Sequence, residues 1–210
     1  MSVKQPIQIM IVDDHPLVRI GMKAVINEQK DMAVAAEAKD GPTAVELFRR
    51  WQPDVVLMDL RLPGQTGVEA MAAILSEFPR ARILIVSNYD GDEDISQAMA
   101  AGAVGYLFKS ILEDEILIAI RQVHAGNRYL PKNVTMRLDE RPEPLRLTQR
   151  EKEILCLLGK GFSNKDLAKL LGLSPETVRT HTKNLYRKLN VSDRAEAVRE
   201  AIQRGFLHID

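Results

Sequence analysis

Short apolar runs alternate with longer stretches of helical periodicity through the first 125 residues of the chain. The strand candidates are Ile7–Val12, Met32–Ala38, Asp54–Met58, Arg82–Ser87 and Ala103–Phe108. Several are unbroken apolar runs rather than alternating ones, the pattern of strands covered on both faces. Amphipathic stretches follow near 15–29, 41–51, 66–78, 91–101 and 112–125. This repetition of strand then helix predicts an α/β, doubly wound, five-stranded parallel sheet. In such a sheet ligands bind beyond the carboxyl ends of the strands.

Periodicity then fades between Gly126 and Arg146, where Gly126, Pro131, Pro142 and Pro144 stand among scattered charges, the composition of a linker. From Thr148 onward every segment reads as helix. Thr148-Gln149-Arg150-Glu151 has capping-box form and opens a helix ending near Gly159–Gly161. Ser163 opens a short helix from Asn164 to Leu171, closed by Gly172. Ser174 followed by Pro175 places a cap and a first-turn proline before a helix to about Leu189. Ser192 starts a last helix to about Arg204. The expected organisation is therefore an α/β domain over 1–125, a linker over 126–146 and a small all-α domain over 147–210.

Charge sharpens that division. The chain carries 29 basic and 29 acidic residues, a formal net charge of zero. Residues 1–125 hold 12 Lys and Arg against 18 Asp and Glu, whereas residues 148–210 hold 12 against 8. An acidic front and a basic back suggest different partners, with nucleic acid for the basic part. Cys156 is the only cysteine, so no intrachain disulfide can form; its apolar neighbours Ile154, Leu155, Leu157 and Leu158 predict a buried, inert thiol. Zinc-finger ligand spacing is missing. No segment reads as a signal peptide or a membrane span, so a cytoplasmic protein without membrane partners is expected.

Polar residues stand where the buried runs end: Asp13-Asp14 after the first, Asp59 after the third, Ser87 at the end of the fourth and Lys109 after the fifth. A doubly wound sheet would converge all five on one edge. An Asp-Asp pair alone is more often a turn device, and a lone Lys or Ser at a strand end is usually unremarkable; the combination is what points to chemistry. Clustered carboxylates repel unless a cation sits among them, and oxygen ligands with room for water suit Mg²⁺. A metal, a lysine and a hydroxyl beside an attacking carboxylate make a phosphoryl-transfer site.

Ile11-Val12-Asp13-Asp14-His15, Leu57 to Gly67, Ser87 and Gly102 to Lys109 together resemble the receiver domain of two-component response regulators, a flavodoxin-like fold. The resemblance implies that Asp59 is the phosphoacceptor, served by a partner sensor histidine kinase. It implies Mg²⁺ ligation by Asp14, Asp59 and the Arg61 backbone carbonyl, with Asp13 acting through water. Lys109 would pair with the phosphoryl group, Ser87 would hydrogen-bond it, and Tyr106 would reorient as Ser87 is drawn inward. Two positions depart from the usual pattern, Asn88 after the switch hydroxyl and Ser110 after the lysine; both bear on rates and loop geometry.

Residues 148–207 resemble the LuxR-type helix-turn-helix of the NarL/FixJ subfamily, through Leu147 to Glu151, Gly161 to Lys165, Leu173 to His181 and Lys188 to Val191. At about 100° per residue, Arg179, Thr180, Lys183 and Arg187 share one face of the third helix, and Val178, Leu185 and Leu189 the opposite one. Arg179, Thr180 and Lys183 are candidates for base edges and Arg187 for phosphate, in double-stranded promoter DNA. Thr177, and Ser163, Asn164 and Lys165 at the preceding helix start, could add backbone contacts. A charged face is often only solvated, and His181, at the border of the apolar face, reads as a packed structural histidine. In the last helix Ala197, Val198, Ala201 and Ile202 fit either intradomain packing or the dimer contacts that the resemblance places there. The expected product is a homodimer when phosphorylated, with RNA polymerase a further candidate partner.

A metal-dependent phosphohydrolase using the same aspartate is the rival from another class. Haloacid-dehalogenase-like phosphatases need a carboxylate two residues after the nucleophile as general acid, and Arg61 stands there. Beyond self-phosphorylation and dephosphorylation no enzyme activity is expected. A second rival keeps the receiver but gives the helical domain a protein partner.

Overall fold

In the computed structural model, residues 5–110, 113–132, 134–135, 145 and 147–208 are described, and they fall into two compact units. The first is built on β1 (Ile7–Val12), β2 (Met32–Ala38), β3 (Val55–Met58), β6 (Ile83–Ser87) and β7 (Gly105–Phe108), all parallel, in the order β2-β1-β3-β6-β7. Helices α1 (Pro16–Asn27), α2 (Gly41–Trp51), α3 (Gly67–Glu77), α4 (Asp92–Ala100) and α5 (Glu113–His124) cross between the strands. The expected doubly wound sheet is the one observed, with β1 and β2 at the expected limits and the other strands shorter by one or two residues at their starts.

Strand alternation explains the two cores. Met10, Val12, Val56, Met58, Ile83, Ile85 and Tyr106 pack on one face with Phe48, Met71, Ile74 and Ile95. Ile9, Ile11, Val55, Leu57, Leu84, Val86 and Leu107 pack on the other with Ile26, Leu117, Ile120 and Val123. Both faces are apolar because both are covered, which is why these strands read as continuous runs.

Two features escaped the sequence pattern. A short antiparallel hairpin, β4 (Arg61–Leu62) and β5 (Gln65–Thr66), follows the third strand end. In addition, the start of the stretch read as a linker is packed on the sheet. Tyr129 pairs with Gly105 of β7, donating to the Val104 carbonyl and accepting from the Tyr106 amide, and Val134 is fully buried in the first core. Pro142, Pro144 and Arg146, also assigned to that stretch, lie outside the described residues.

The second unit holds α6 (Gln149–Gly159), α7 (Asn164–Leu171), α8 (Pro175–Leu189) and α9 (Arg194–Arg204) around Leu147, Ile154, Leu155, Leu158, Leu167, Val178, Leu185, Leu189, Ala197 and Ala201. Thr148 and Ser163 form complete capping boxes with Glu151 and Asp166, and the Ser174 side chain caps α8. The last helix is capped by Asp193, whose carboxylate accepts from the Glu196 amide, rather than by Ser192. Cys156 corrects the expectation of a buried thiol: it is exposed, because the inward stripe of α6 passes through Ile154, Leu155 and Leu158.

Candidate functional site

Backbone ladders that run past the strand ends build the acidic pocket. The Asp13 amide donates to the Ala38 carbonyl at 3.1 Å, the Asp59 amide to the Val12 carbonyl at 2.7 Å, and the Lys109 amide to the Ser87 carbonyl at 2.8 Å. The first residues beyond β1, β3 and β7, and the last residue of β6, are thereby held at one sheet edge. Gly67, the first residue of α3, comes so close that a Cβ there would sit 1.9 Å from the Asp59 carbonyl oxygen. The hairpin must turn back tightly to bring it there, and only glycine fits.

Asp13, Asp59 and Ser87 are buried, at 1%, 3% and 0% exposure. Lys109 Nζ lies 2.6 Å from Asp59 Oδ2 and 2.7 Å from Asp13 Oδ2. Burial raises the Asp59 carboxyl above the usual carboxylate range; Asp13 adds to that, while Lys109 and the Arg61 amide oppose it without prevailing. For Lys109, burial works against the charge, but the Asp13 and Asp59 carboxylates outweigh it and hold the ammonium above its ordinary value. The lysine therefore stays charged in a nearly dry pocket.

Single ligand atoms of Asp13, Asp14, His15 and Asp59 all lie within 4.8 Å of one another. Asp13 Oδ2 and Asp14 Oδ1 are buried without a hydrogen bond of good geometry, although each has a nitrogen 2.7 Å away, of Lys109 and His15 respectively. Oxygen donors left in that condition fit a hard divalent cation, so the cluster could hold a metal ion. Arg61 approaches Asp59 through its amide, 3.4 Å from Oδ1, while its guanidinium lies over the Tyr89 ring at 5.4 Å.

Ser87 and Tyr106 meet through Tyr89, which sequence reasoning overlooked. The Tyr89 amide donates to Ser87 Oγ at 3.1 Å, and the Tyr106 hydroxyl donates to the Tyr89 carbonyl at 2.7 Å. Tyr106 is fully buried here, edge-on to Phe108. Asn88 and Ser110, the two atypical positions, are exposed. His15 and Arg19 were also missed; Arg19 Nη1 donates to the Asp13 carbonyl at 2.6 Å. Their signal, a His and an Arg just after the acidic pair, is legible only once α1 is known to start at the pocket.

In the second unit α8 divides as the helical wheel predicts. Val178, Leu185 and Leu189 are buried, with Thr182 beside them satisfied by the Val178 carbonyl at 2.9 Å. Arg179, Thr180, Lys183 and Arg187 are exposed, Thr177 and His181 partly buried, and Ser163, Asn164 and Lys165 exposed at the start of α7. The Arg179 guanidinium rests 3.2 Å from Glu176, and the Thr180 hydroxyl donates to the Glu176 carbonyl. Below this face, buried Glu151 pairs with Lys188 at 2.6 Å while holding the Thr148 cap. Burial opposes its charge, but Lys188 and Thr148 keep the carboxyl below the usual range. Arg150 reaches from α6 to the last carbonyl of α7, and Arg194 to the carbonyls of Phe162 and Leu158, which fixes the angle between the helices. In α9 Ala197 and Ala201 face their own core, leaving Ile202 outward.

Both parts of the chain are similar to known proteins. Residues 9–121 match the response regulator receiver domain and residues 145–201 the luxR family of bacterial regulatory proteins. The transcriptional regulatory protein DegU of Brevibacillus brevis is 34% identical over 97% of this chain and 96% of its own. The solved response regulator ChrA of a heme-sensing two-component system is 36% identical, with a TM-score of 0.57 over 96% of this chain and 99% of that one. RcsB from Salmonella enterica serovar Typhimurium, solved on a promoter with a phosphomimetic, shares the fold at 22% identity and a TM-score of 0.71, over 95% of this chain and 99% of that one. Among the described residues no helix is long and apolar enough to cross a membrane.

Proposed function

Because the chain belongs to the two-component response regulators of the NarL/FixJ type, a receiver domain followed by a LuxR-type DNA-binding domain, we propose that phosphorylation of Asp59 by a sensor histidine kinase switches its dimerisation and promoter binding. The observation that carries this reading is the buried Lys109 ammonium bridging Asp13 and Asp59 at the carboxyl edge of the sheet. An Asp59 oxygen attacks the phosphorus of the kinase's phosphohistidine. The new O–P bond forms as the P–N bond breaks, and the imidazole leaves as the kinase's neutral side chain after taking up a proton. Burial makes the Asp59 carboxylate more basic, hence a better nucleophile, and keeps water from the acyl phosphate. Asp13, Asp14, Asp59 and the Arg61 carbonyl would hold Mg²⁺, which supplies positive charge to the transferring phosphoryl oxygens. Lys109 supplies a second fixed charge on the other side.

The phosphoryl group adds about −1.5 to −2 charge and three acceptor oxygens. Ser87 Oγ, which accepts from the Tyr89 amide, can then donate its own O–H to a phosphoryl oxygen; as it is drawn toward that oxygen, the Tyr89 backbone whose carbonyl holds Tyr106 moves with it. Since Tyr106 is already inward, the switch consists in changing the partner of its hydroxyl more than in filling a vacant space. In the second domain Arg179, Thr180 and Lys183 face base edges in the major groove, and Arg187, Thr177, Ser163, Asn164 and Lys165 the phosphate backbone. Two such helices in a dimer read two half-sites of cytoplasmic promoter DNA.

Intact-mass spectrometry after incubation with Mg²⁺ and acetyl phosphate tests the chemistry. One phosphoryl adduct on the wild type and none on Asp59→Asn is expected; an adduct on the variant would move the site elsewhere.

A further inference from the structure

Lys109 and His15 approach the carboxylates through different oxygens. Lys109 Nζ contacts the Oδ2 atoms of Asp13 and Asp59, whereas His15 Nδ1 lies 2.7 Å from Asp14 Oδ1 and 3.3 Å from Asp13 Oδ1. The ring is not engaged in helix capping: His15 is the N-cap residue of α1, yet its side chain makes no cap hydrogen bond. Its amide donates to Asp13 Oδ1 at 2.8 Å, closing the turn that aims the ring at the pocket. Neighbouring ligands on an octahedral ion with bonds of about 2.1 Å stand about 3 Å apart, and the two His15 separations bracket that spacing. Asp13, almost wholly buried, keeps Oδ2 on the Lys109 ammonium at 2.7 Å, which leaves Oδ1 as the oxygen turned to His15.

We infer that His15 sets which divalent cation the pocket accepts, adding an imidazole nitrogen to the carboxylate oxygens so that late first-row ions such as Ni²⁺ compete with Mg²⁺. The inference rests on the reading of the pocket as a Mg²⁺ site. Mg²⁺ gains little from a nitrogen donor, while Ni²⁺, Co²⁺ and Zn²⁺ gain much. At 63% exposure the ring, now held on Asp14 and Asp13, has room to turn toward an ion. With oxygen donors alone the pocket would discriminate less; with His15 the metal supply of the cell bears directly on the phosphorylation site.

Calorimetric titration of the full chain at neutral pH with MgCl2 and with NiCl2 tests this on the wild type and His15→Asn. Asparagine is a favoured N-cap residue, so α1 keeps its start. Only Ni²⁺ heat that saturating Mg²⁺ abolishes is counted, which removes His124, His181 and His208 from the reading. Ni²⁺ affinity should fall by about tenfold or more in the variant, with Mg²⁺ affinity within about threefold of wild type. Unchanged Ni²⁺ affinity, or an equal loss for both ions, would overturn the inference; the equal loss would make His15 only a support for Asp14. If the wild type gave no Mg²⁺ heat, the Mg²⁺ reading would fall with it.

Discussion

The acidic pocket and the exposed face of α8 hold their functional groups in opposite ways. In the pocket, Asp13, Asp59 and Lys109 are buried and locked on one another, and backbone ladders fix where each begins. On α8, Arg179, Lys183 and Arg187 stand in solvent above a rigid apolar floor of Val178, Leu185 and Leu189. The pocket must be preorganised before its ligand arrives, because a charge held in a dry site cannot be rearranged cheaply. The helix face needs only a rigid base, since long side chains can settle onto a duplex as it docks. The contrast teaches that changes in the pocket disturb both stability and chemistry, while changes on the α8 face disturb binding alone.

Substitutions can break or sharpen that contrast. Gly67→Ala should do the most harm: the added carbon meets the Asp59 carbonyl, so the receiver loses about 3 kcal/mol in urea unfolding and adduct yield falls with it. An unchanged midpoint would mean that the turn yields freely and does not position Asp59. Glu151→Gln probes the floor beneath the exposed face. It removes the charge that Lys188 meets at 2.6 Å and should lower the stability of the DNA-binding domain by about 2 kcal/mol.

The same pair predicts a pH dependence. Glu151 has a folded pKa below its ordinary 4.5, so its contribution is complete above pH 4.5 and is lost as the pH falls through the folded value. Unfolding of the wild-type DNA-binding domain should therefore become easier below pH 4.5 by more than in the Gln variant. Equal acid sensitivity would show that other carboxylates dominate.

Smaller effects are expected on the exposed face. Arg179→Ala should weaken binding to a selected operator by roughly tenfold, about 1.4 kcal/mol, with stability within about 0.5 kcal/mol of wild type. A comparable loss on every sequence would make Arg179 a phosphate contact rather than a reader of bases. Arg187→Ala should change least, reducing the slope of log affinity against log salt by about one. An unaltered slope would remove Arg187 from the phosphate contacts.

Much of this was readable from the chain because covered parallel strands leave an unmistakable mark. Five apolar runs set the sheet, and the polar residues at their ends marked the edge where Asp13, Asp59, Ser87 and Lys109 come together. The capping boxes of Thr148 and Ser163 were equally plain, being local by nature. What escaped were contacts set by tertiary geometry. Nothing around Tyr89 announces that its amide and carbonyl would join Ser87 to Tyr106. Tyr129 and Val134 lie in a stretch with loop composition, yet the edge of β7 takes the first into its ladder and the first core buries the second. Cys156 looked buried because its neighbours are apolar, but on a helix adjacent residues point about 100° apart, and the stripe that packs inward misses it.

The proposed function turns on a link from chemistry at Asp59 to what the α8 face does. It is tested most directly by fluorescence anisotropy on a selected operator, with the same protein measured before and after phosphorylation by acetyl phosphate and its phosphorylated fraction weighed alongside. Affinity should be tighter by about tenfold for the phosphorylated wild type, within the usual range of 1–3 kcal/mol for coupling between sites, and unchanged for Asp59→Asn. Fully phosphorylated wild type binding no differently from the unphosphorylated protein would contradict it.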